Sequence, residues 1–85
     1  MDVRVAKVTH FYNRIGVAVL ELSGELAVGD KILILGRTTD LTQQVSSMEI
    51  EHQKVQTVGP GMDVALKVAE PVRPGDIVYK ISAGE

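Results

Sequence analysis

The sequence predicts an all-β protein, a small six-stranded, mainly antiparallel β-barrel. Three observations carry that prediction. Val is the dominant apolar residue, and with Ile and Thr it fills the apolar segments. Such β-branched side chains have restricted χ1 and pack well on a pleated surface. Those segments are short and are interrupted at close intervals by Gly, Pro, Asn and Asp. Three of the interruptions repeat a pattern, because Val28-Gly29-Asp30, Gly61-Met62-Asp63 and Pro74-Gly75-Asp76 each stand just before an apolar run. Gly supplies the positive φ of a tight turn, and Asp accepts hydrogen bonds from nearby backbone N–H groups. The other reading of these aspartates, as metal ligands, fits poorly with residues that stand singly and far apart.

The elements follow in order. The first strand is predicted over Val3 to Tyr12, with a tight turn at Asn13-Arg14 and a second strand from Ile15 to Leu22. Turns at Ser23-Gly24-Glu25 and Val28-Gly29-Asp30 lead to a third strand, Lys31 to Leu35. A polar loop covers Gly36 to Asp40, and a fourth strand runs from Gln43 to Glu51. A connection through Val55 and Val58 reaches Gly59-Pro60-Gly61. The fifth and sixth strands are Asp63 to Val68 and Ile77 to Ile81, with a turn from Pro71 to Asp76 between them. In the first strand Val3 and Val5 share one alternation phase, and Ala6 and Val8 share the other. An inserted residue is needed to keep both pairs on the core face, so a bulge is expected near Ala6-Lys7. Strand four slips in the same way between Val45 and Met48. The second and third strands are apolar on both faces and should lie deepest. Bent strands of this kind suit a small barrel that must turn corners.

Composition narrows the function. The 85 residues allow one domain, residues 1–85, and are too few for a nucleotide-dependent switch enzyme or a Rossmann domain. Hydrophobic residues at 45% and charged residues at 24% describe a chain able to bury a core. Cys is absent, which removes disulfides, thiolate metal sites and cysteine nucleophiles. Met1-Asp2-Val3-Arg4 lacks a basic n-region and a long apolar h-region, so no signal peptide is expected. The apolar runs of four residues fall far short of the roughly 18 that a membrane span requires. These features predict a soluble, cytoplasmic protein with no membrane partner. A net charge of −2 disfavours sequence-blind binding to nucleic acid through charge alone.

No chemistry-bearing cluster dominates. Glu49-Ile50-Glu51-His52 is the best candidate metal group, but on a strand both glutamates face away from His52. The same two glutamates, sharing one strand face, could form an acid/base pair or simply a solvated face. Ser46-Ser47 and Thr38-Thr39-Asp40 place hydroxyls near an acid without a marked base. No cofactor and no catalytic residue is expected.

A different surface is better marked. Arg4, Lys7, His10 and Arg14 follow one another along the first strand and turn, interleaved with Phe11 and Tyr12, and Arg37 stands in the Gly36–Asp40 loop. Cations interleaved with aromatic rings suit single-stranded or looped RNA, through phosphate contact and base stacking. The competing reading is a solvated edge with Phe11 in the core.

The ordered set of turns and strands resembles a known family. Gly24-Glu25-Leu26-Ala27-Val28-Gly29-Asp30-Lys31-Ile32-Leu33-Ile34 is similar to the Gly-x-x-x-x-Gly-Asp stretch in the second domain of translational GTPases such as elongation factor Tu. Val45 to Glu51 resembles that domain's next strand, Val58 to Leu66 its Ala-x-x-Gly-x-x-Val-Gly segment, and Val72 to Val78 its closing strand. The likeness spans Val3 to Ile81. It extends to small elongation-factor-like proteins and to the carboxy-terminal barrels of collagenase-like peptidases. The resemblance implies a translation-factor domain-two barrel, acting as a non-catalytic binding module. It implies contact with RNA or the ribosome or, alternatively, a protein-interaction barrel associated with a collagenase-like peptidase, or a self-associating module. At Val19-Leu20-Glu21-Leu22-Ser23-Gly24 the two basic residues usual in the large factors are missing. No Gly-x-x-x-x-Gly-Lys-Ser/Thr run occurs, so neither GTP hydrolysis nor another nucleotide partner is implied.

Overall fold

A computed structural model describes residues 2–81, with the side chains of 3–81. The described residues form ten strands: β1 (Asp2–Tyr12), β2 (Val17–Leu22), β3 (Leu26–Ala27), β4 (Lys31–Leu35), β5 (Asp40–Gln44), β6 (Met48–Ile50), β7 (Gln53–Val55), β8 (Thr57–Val58), β9 (Asp63–Lys67) and β10 (Ile77–Ile81). Eight make one sheet in the order β5-β4-β10-β1-β2-β9-β6-β7, and β3 pairs with β8 in a separate ribbon. Every pairing is antiparallel. No helix is long and apolar enough to cross a membrane among the described residues.

The all-β expectation holds, but the six-stranded closed barrel is corrected to an eight-stranded sheet whose ends, β5 and β7, do not pair. The reason lies in the stretch read as one strand from Gln43 to Glu51. Its first part belongs to β5, which lies against β4. The chain then crosses at Val45–Ser47 and starts again as β6 against β9 and β7. The alternation slip between Val45 and Met48 marks this crossing, which lets both side chains reach the core. Individual bonds bridge the gap that a ladder would otherwise fill. The Gln43 carboxamide donates to the Lys67 carbonyl at 2.9 Å and accepts from the Ala69 N–H at 2.8 Å. Gly29 N–H donates to Val45 O, and Val45 N–H donates to Asp30 O, both at 2.8 Å.

The expected break in β1 is present one residue earlier than read. Val5 is the extra residue against β10, between Arg4 and Ala6, and a second irregularity falls at Thr9 against β2. The Val5 carbonyl instead accepts the N–H groups of Ser23 and Gly24 at 2.7 and 3.1 Å. The two shifts keep Val5, Ala6 and Val8 buried and turn His10 and Tyr12 outward.

The core lies on one side of the coiled sheet. Val8, Leu20, Ile32, Ile34, Leu66 and Val78 are completely buried there, and Leu26 and Val58 of the ribbon join the same cluster. Truncating one of these leucines or isoleucines to Ala costs about 2–5 kcal/mol in a typical core. The second and third predicted strands are not buried on both faces. Val17, Val19 and Leu33 are half-buried and Leu35 is exposed, because no layer within the described chain covers the outer side of the sheet.

Candidate functional site

The first hairpin positions four of the six residues marked by the sequence on the outer side of β1 and places a fifth at its tip. His10 and Tyr12 are two positions apart, so their side chains share a face. Their rings stack with centroids 6.2 Å apart and planes 8° from parallel. Val19 and Val17 of β2 stand opposite them. The hairpin closes where the Tyr12 carbonyl accepts the N–H groups of Gly16 at 2.9 Å and Ile15 at 3.3 Å, with Gly16 at φ 66°. Arg14 and Ile15 are exposed at this tip.

Arg4 and Lys7 do not join that group. Arg4 lies opposite Tyr79 near the start of β1, and Lys7 lies opposite Ile77 at its middle. Eight residues of strand separate Arg4 from Tyr12, roughly 25 Å at the usual rise. The cations that follow one another in sequence are therefore spread along the length of β1, and the ring stack occupies only its hairpin end.

Arg37 lies in the Gly36–Thr39 loop, which closes with Gly36 N–H donating to Thr39 O at 2.9 Å. This loop adjoins the hairpin tip across a shallow groove lined by Phe11, Asn13, Thr38, Thr39, Val72 and Arg73. Phe11 itself packs on the core. Arg73 was not marked from the sequence, where it reads only as part of the turn before the last strand. Its place at this end depends on the return of residues 68–76 to the hairpin, where Val68 N–H donates to Gly16 O at 2.9 Å. The groove thus places Arg73 with Phe11 and Asn13 at the hairpin end, Arg37 stands in the loop that supplies its Thr38 and Thr39, and Arg14 is exposed at the hairpin tip. Guanidinium groups and open ring faces can hold carboxylates, phosphates or stacked rings.

The acidic candidates are rearranged. Glu51 and His52 are not strand residues. They form the two-residue turn between β6 and β7, at φ 50° and 67°, with Ile50 opposite Gln53. Glu49 and Glu51 therefore do not share a strand face, which removes the basis for the paired-carboxylate reading. Among the described residues no group of three or more His, Asp or Glu side chains is placed to hold a metal ion. Ser46 and Ser47 lie in the crossing between β5 and β6.

Set beside known structures, the fold belongs with an established kind of domain. It superposes with a TM-score of 0.86 on the crystal structure of the C-terminal domain of a candidate U32 peptidase from Geobacillus thermoleovorans, at 20% identity, covering 92% of this chain and 91% of that one. The selenomethionine form of the same domain gives the same TM-score over 91% and 98%. Among curated proteins the chain is 40% identical over 78 residues to an uncharacterized protease of Methanocaldococcus jannaschii, and 39% identical over 83 residues to a collagenase of Porphyromonas gingivalis. These matches cover 91% and 95% of this chain but only 19% and 23% of those proteins, so the chain spans about a fifth of their length. No family model matches. The relatives favour the peptidase side of the resemblance read from the sequence and lend no support to its elongation-factor side.

Proposed function

We propose that this chain is a non-catalytic accessory β-domain of collagenase-like peptidases, acting by binding through its surface. The observation that supports it is the near full-length match, at 40% and 39% identity, to proteins named as a protease and a collagenase. The chain corresponds to a fraction of those proteins too small to represent their whole activity. In this reading the peptidase supplies the chemistry, and the β-domain supplies contact with the enzyme or its substrate. The test pairs two assays on the full chain. Incubated alone with gelatin, it is expected to release no peptides. Mixed with the full-length collagenase-like peptidase encoded in the same genome, it is expected to co-sediment. Gelatin cleavage by the chain alone would overturn the non-catalytic reading, and failure to co-sediment would overturn the accessory one.

A second reading rests on the sheet end. The His10–Tyr12 stack and Arg14 on the first hairpin, with Arg37 in the Gly36–Thr39 loop, suit RNA, as a translation-factor-like module would require. Filter binding of tRNA and ribosomes at low and physiological salt tests it. Arg14→Ala and Arg37→Ala should each weaken binding and flatten its salt dependence. Equal retention of a charge-matched control would end this reading.

A further inference from the structure

The outer faces of β4 and β10 have the wrong polarity for a surface exposed to water. Leu35 stands opposite Ile77, and Leu33 opposite Tyr79. All four side chains point away from the core, because the intervening Ile34 and Val78 are the completely buried ones. In an antiparallel sheet covered on one side, the other side normally carries polar residues. Here the polar residues occur only at the flanks. One cross-strand row reads Asp40, Leu35, Ile77, Lys7, Glu21, Asp63, so Lys7 stands opposite a carboxylate of its own chain, and the next reads Thr42, Leu33, Tyr79, Arg4. Two cations therefore border the apolar rows on the β1 side, and one carboxylate borders them on the β5 side.

The position of this patch indicates what covers it. Asp2 pairs with Ile81, so the first and last strands run out side by side, immediately beyond the row that holds Tyr79 and Arg4. The matched relatives are roughly four to five times as long as this chain, since the matched 78 and 83 residues make up 19% and 23% of them. Chain that flanks the matched stretch in such proteins leaves from this corner. A body attached there meets β4 and β10 before it reaches the Arg14 end, roughly 25 Å along β1.

We infer that the outer face of β4 and β10 is the surface that docks against the body of a collagenase-like peptidase. Leu33, Leu35, Ile77 and Tyr79 form the apolar centre, and Arg4, opposite Tyr79 rather than an acid, faces a carboxylate of that body. The inference rests on the accessory reading above and assigns its contact surface. A cation flank of this kind steers association and fixes orientation, while the apolar centre provides most of the affinity.

The experiment is titration of the full chain, with methyl-labelled Leu and Ile, by the full-length collagenase-like peptidase of the same genome. The Leu33, Leu35 and Ile77 methyl signals are expected to shift. Arg4→Glu and Leu35→Glu should each weaken binding at least ten-fold, and Arg14→Glu should leave it unchanged. Arg4 is an exposed strand residue opposite Tyr79, so that variant keeps the fold even if Leu35→Glu does not. Binding lost with Arg14→Glu but retained with Arg4→Glu overturns the assigned surface and leaves the accessory reading standing. Methyl shifts that depend on the chain's own concentration, without peptidase, identify a second copy as the occupant and overturn the inference. No binding at all, or a genome without such a peptidase, removes the reading and the inference together.

Discussion

In the corner before β10, the Asp76 carboxylate accepts the Arg73 N–H at 2.9 Å, and Asp76 N–H donates back to Arg73 O at 3.0 Å. The corner before β4 repeats this bond for bond: Asp30 accepts from Ala27 N–H at 2.9 Å, and Asp30 N–H donates to Ala27 O at 3.1 Å. Gly75 and Gly29 precede them at φ 96° and 98°. The surroundings differ. Asp76 is 5% exposed and packs against Gly36, so closely that a Cβ on that glycine would overlap its carboxylate. The Asp30 side chain is 29% exposed and reaches the Lys80 ammonium at 3.7 Å. One turn motif thus serves as a buried joint between three segments in one place and as a surface corner in the other. Bond count alone does not rank them; the burial of the carboxylate does, because a nearly buried acceptor depends on its protein partners where a surface one can turn to water.

The sharpest test is at Gly36. Gly36→Ala should destabilise by about 2–3 kcal/mol, as overpacking against a fixed neighbour does. Asp76→Ala should cost a similar amount, about 1.5–3 kcal/mol, the usual range for a hydrogen bond to a charged group. The double variant should cost less than the sum, since removing the carboxylate vacates the space that the alanine methyl needs. Urea denaturation of the four proteins measures the cycle, and strict additivity would separate Gly36 from the Asp76 joint. Asp76→Asn, which keeps an acceptor, should retain most of the stability.

The turn between β6 and β7 extends the comparison to a corner without suitable residues. A two-residue hairpin of this kind requires positive φ at both central positions, for which Asn-Gly is preferred. Glu51 and His52 occupy them instead. Left-handed backbone costs a residue with a Cβ roughly 1–2 kcal/mol. Glu51→Asn with His52→Gly should therefore stabilise the chain by about 1–2 kcal/mol, read as a raised urea midpoint at unchanged slope. An unchanged midpoint would mean that these residues adopt the turn without strain.

At the exposed corner the expected loss is smaller. Asp30→Ala should cost about 1 kcal/mol, from the backbone bond. The Lys80 ion pair joins two side chains about one-third exposed and adds little, so Asp30→Asn should remain close to wild type at both low and high salt.

The limits of the sequence reading follow the same division. Gly29-Asp30 and Gly75-Asp76 were legible because a positive-φ residue followed by a short acceptor is a local device, complete within four residues. The bulge near Val5 was legible to within one residue, because alternation must change phase if Val5, Ala6 and Val8 are all to be buried. The gap between β5 and β6 was not. Nothing local distinguishes a strand that slips phase at Val45 from one that leaves its sheet there, and the Gln43 bonds that bridge the gap join residues 24 and 26 positions apart. At the sheet end His10, Tyr12 and Arg14 were legible as neighbours along one strand. Arg73 was hidden because its place depends on the path of residues 68–76, and sequence order alone does not show how far Arg4 lies from Tyr12 along β1.

The third predicted corner supplies the smallest effect and the finest distinction. The sequence aligns Gly61-Met62-Asp63 with the other two motifs, as though Asp63 closed the turn. In the structure Gly61 holds φ 84° and the next residue, Met62, takes the closing position. Met62 N–H donates to Gly59 O at 3.3 Å, and Gly59 N–H points to Met62 Sδ at 3.3 Å. Asp63 is the first residue of β9 and is exposed. A thioether is a weak acceptor, and the site is open enough for water to satisfy the Gly59 N–H. Met62→Asn places a stronger acceptor at the position where Asp30 and Asp76 work, without adding charge beside Asp63. It gives up some contact of a partly exposed methionine in return, so the net change should fall within about 0.5 kcal/mol of zero. Amide exchange at Gly59 is the more discriminating measurement. It should slow if the carboxamide adopts the geometry of the two aspartates, and an unchanged rate would show that a positive-φ glycine alone does not make this corner equivalent to the others.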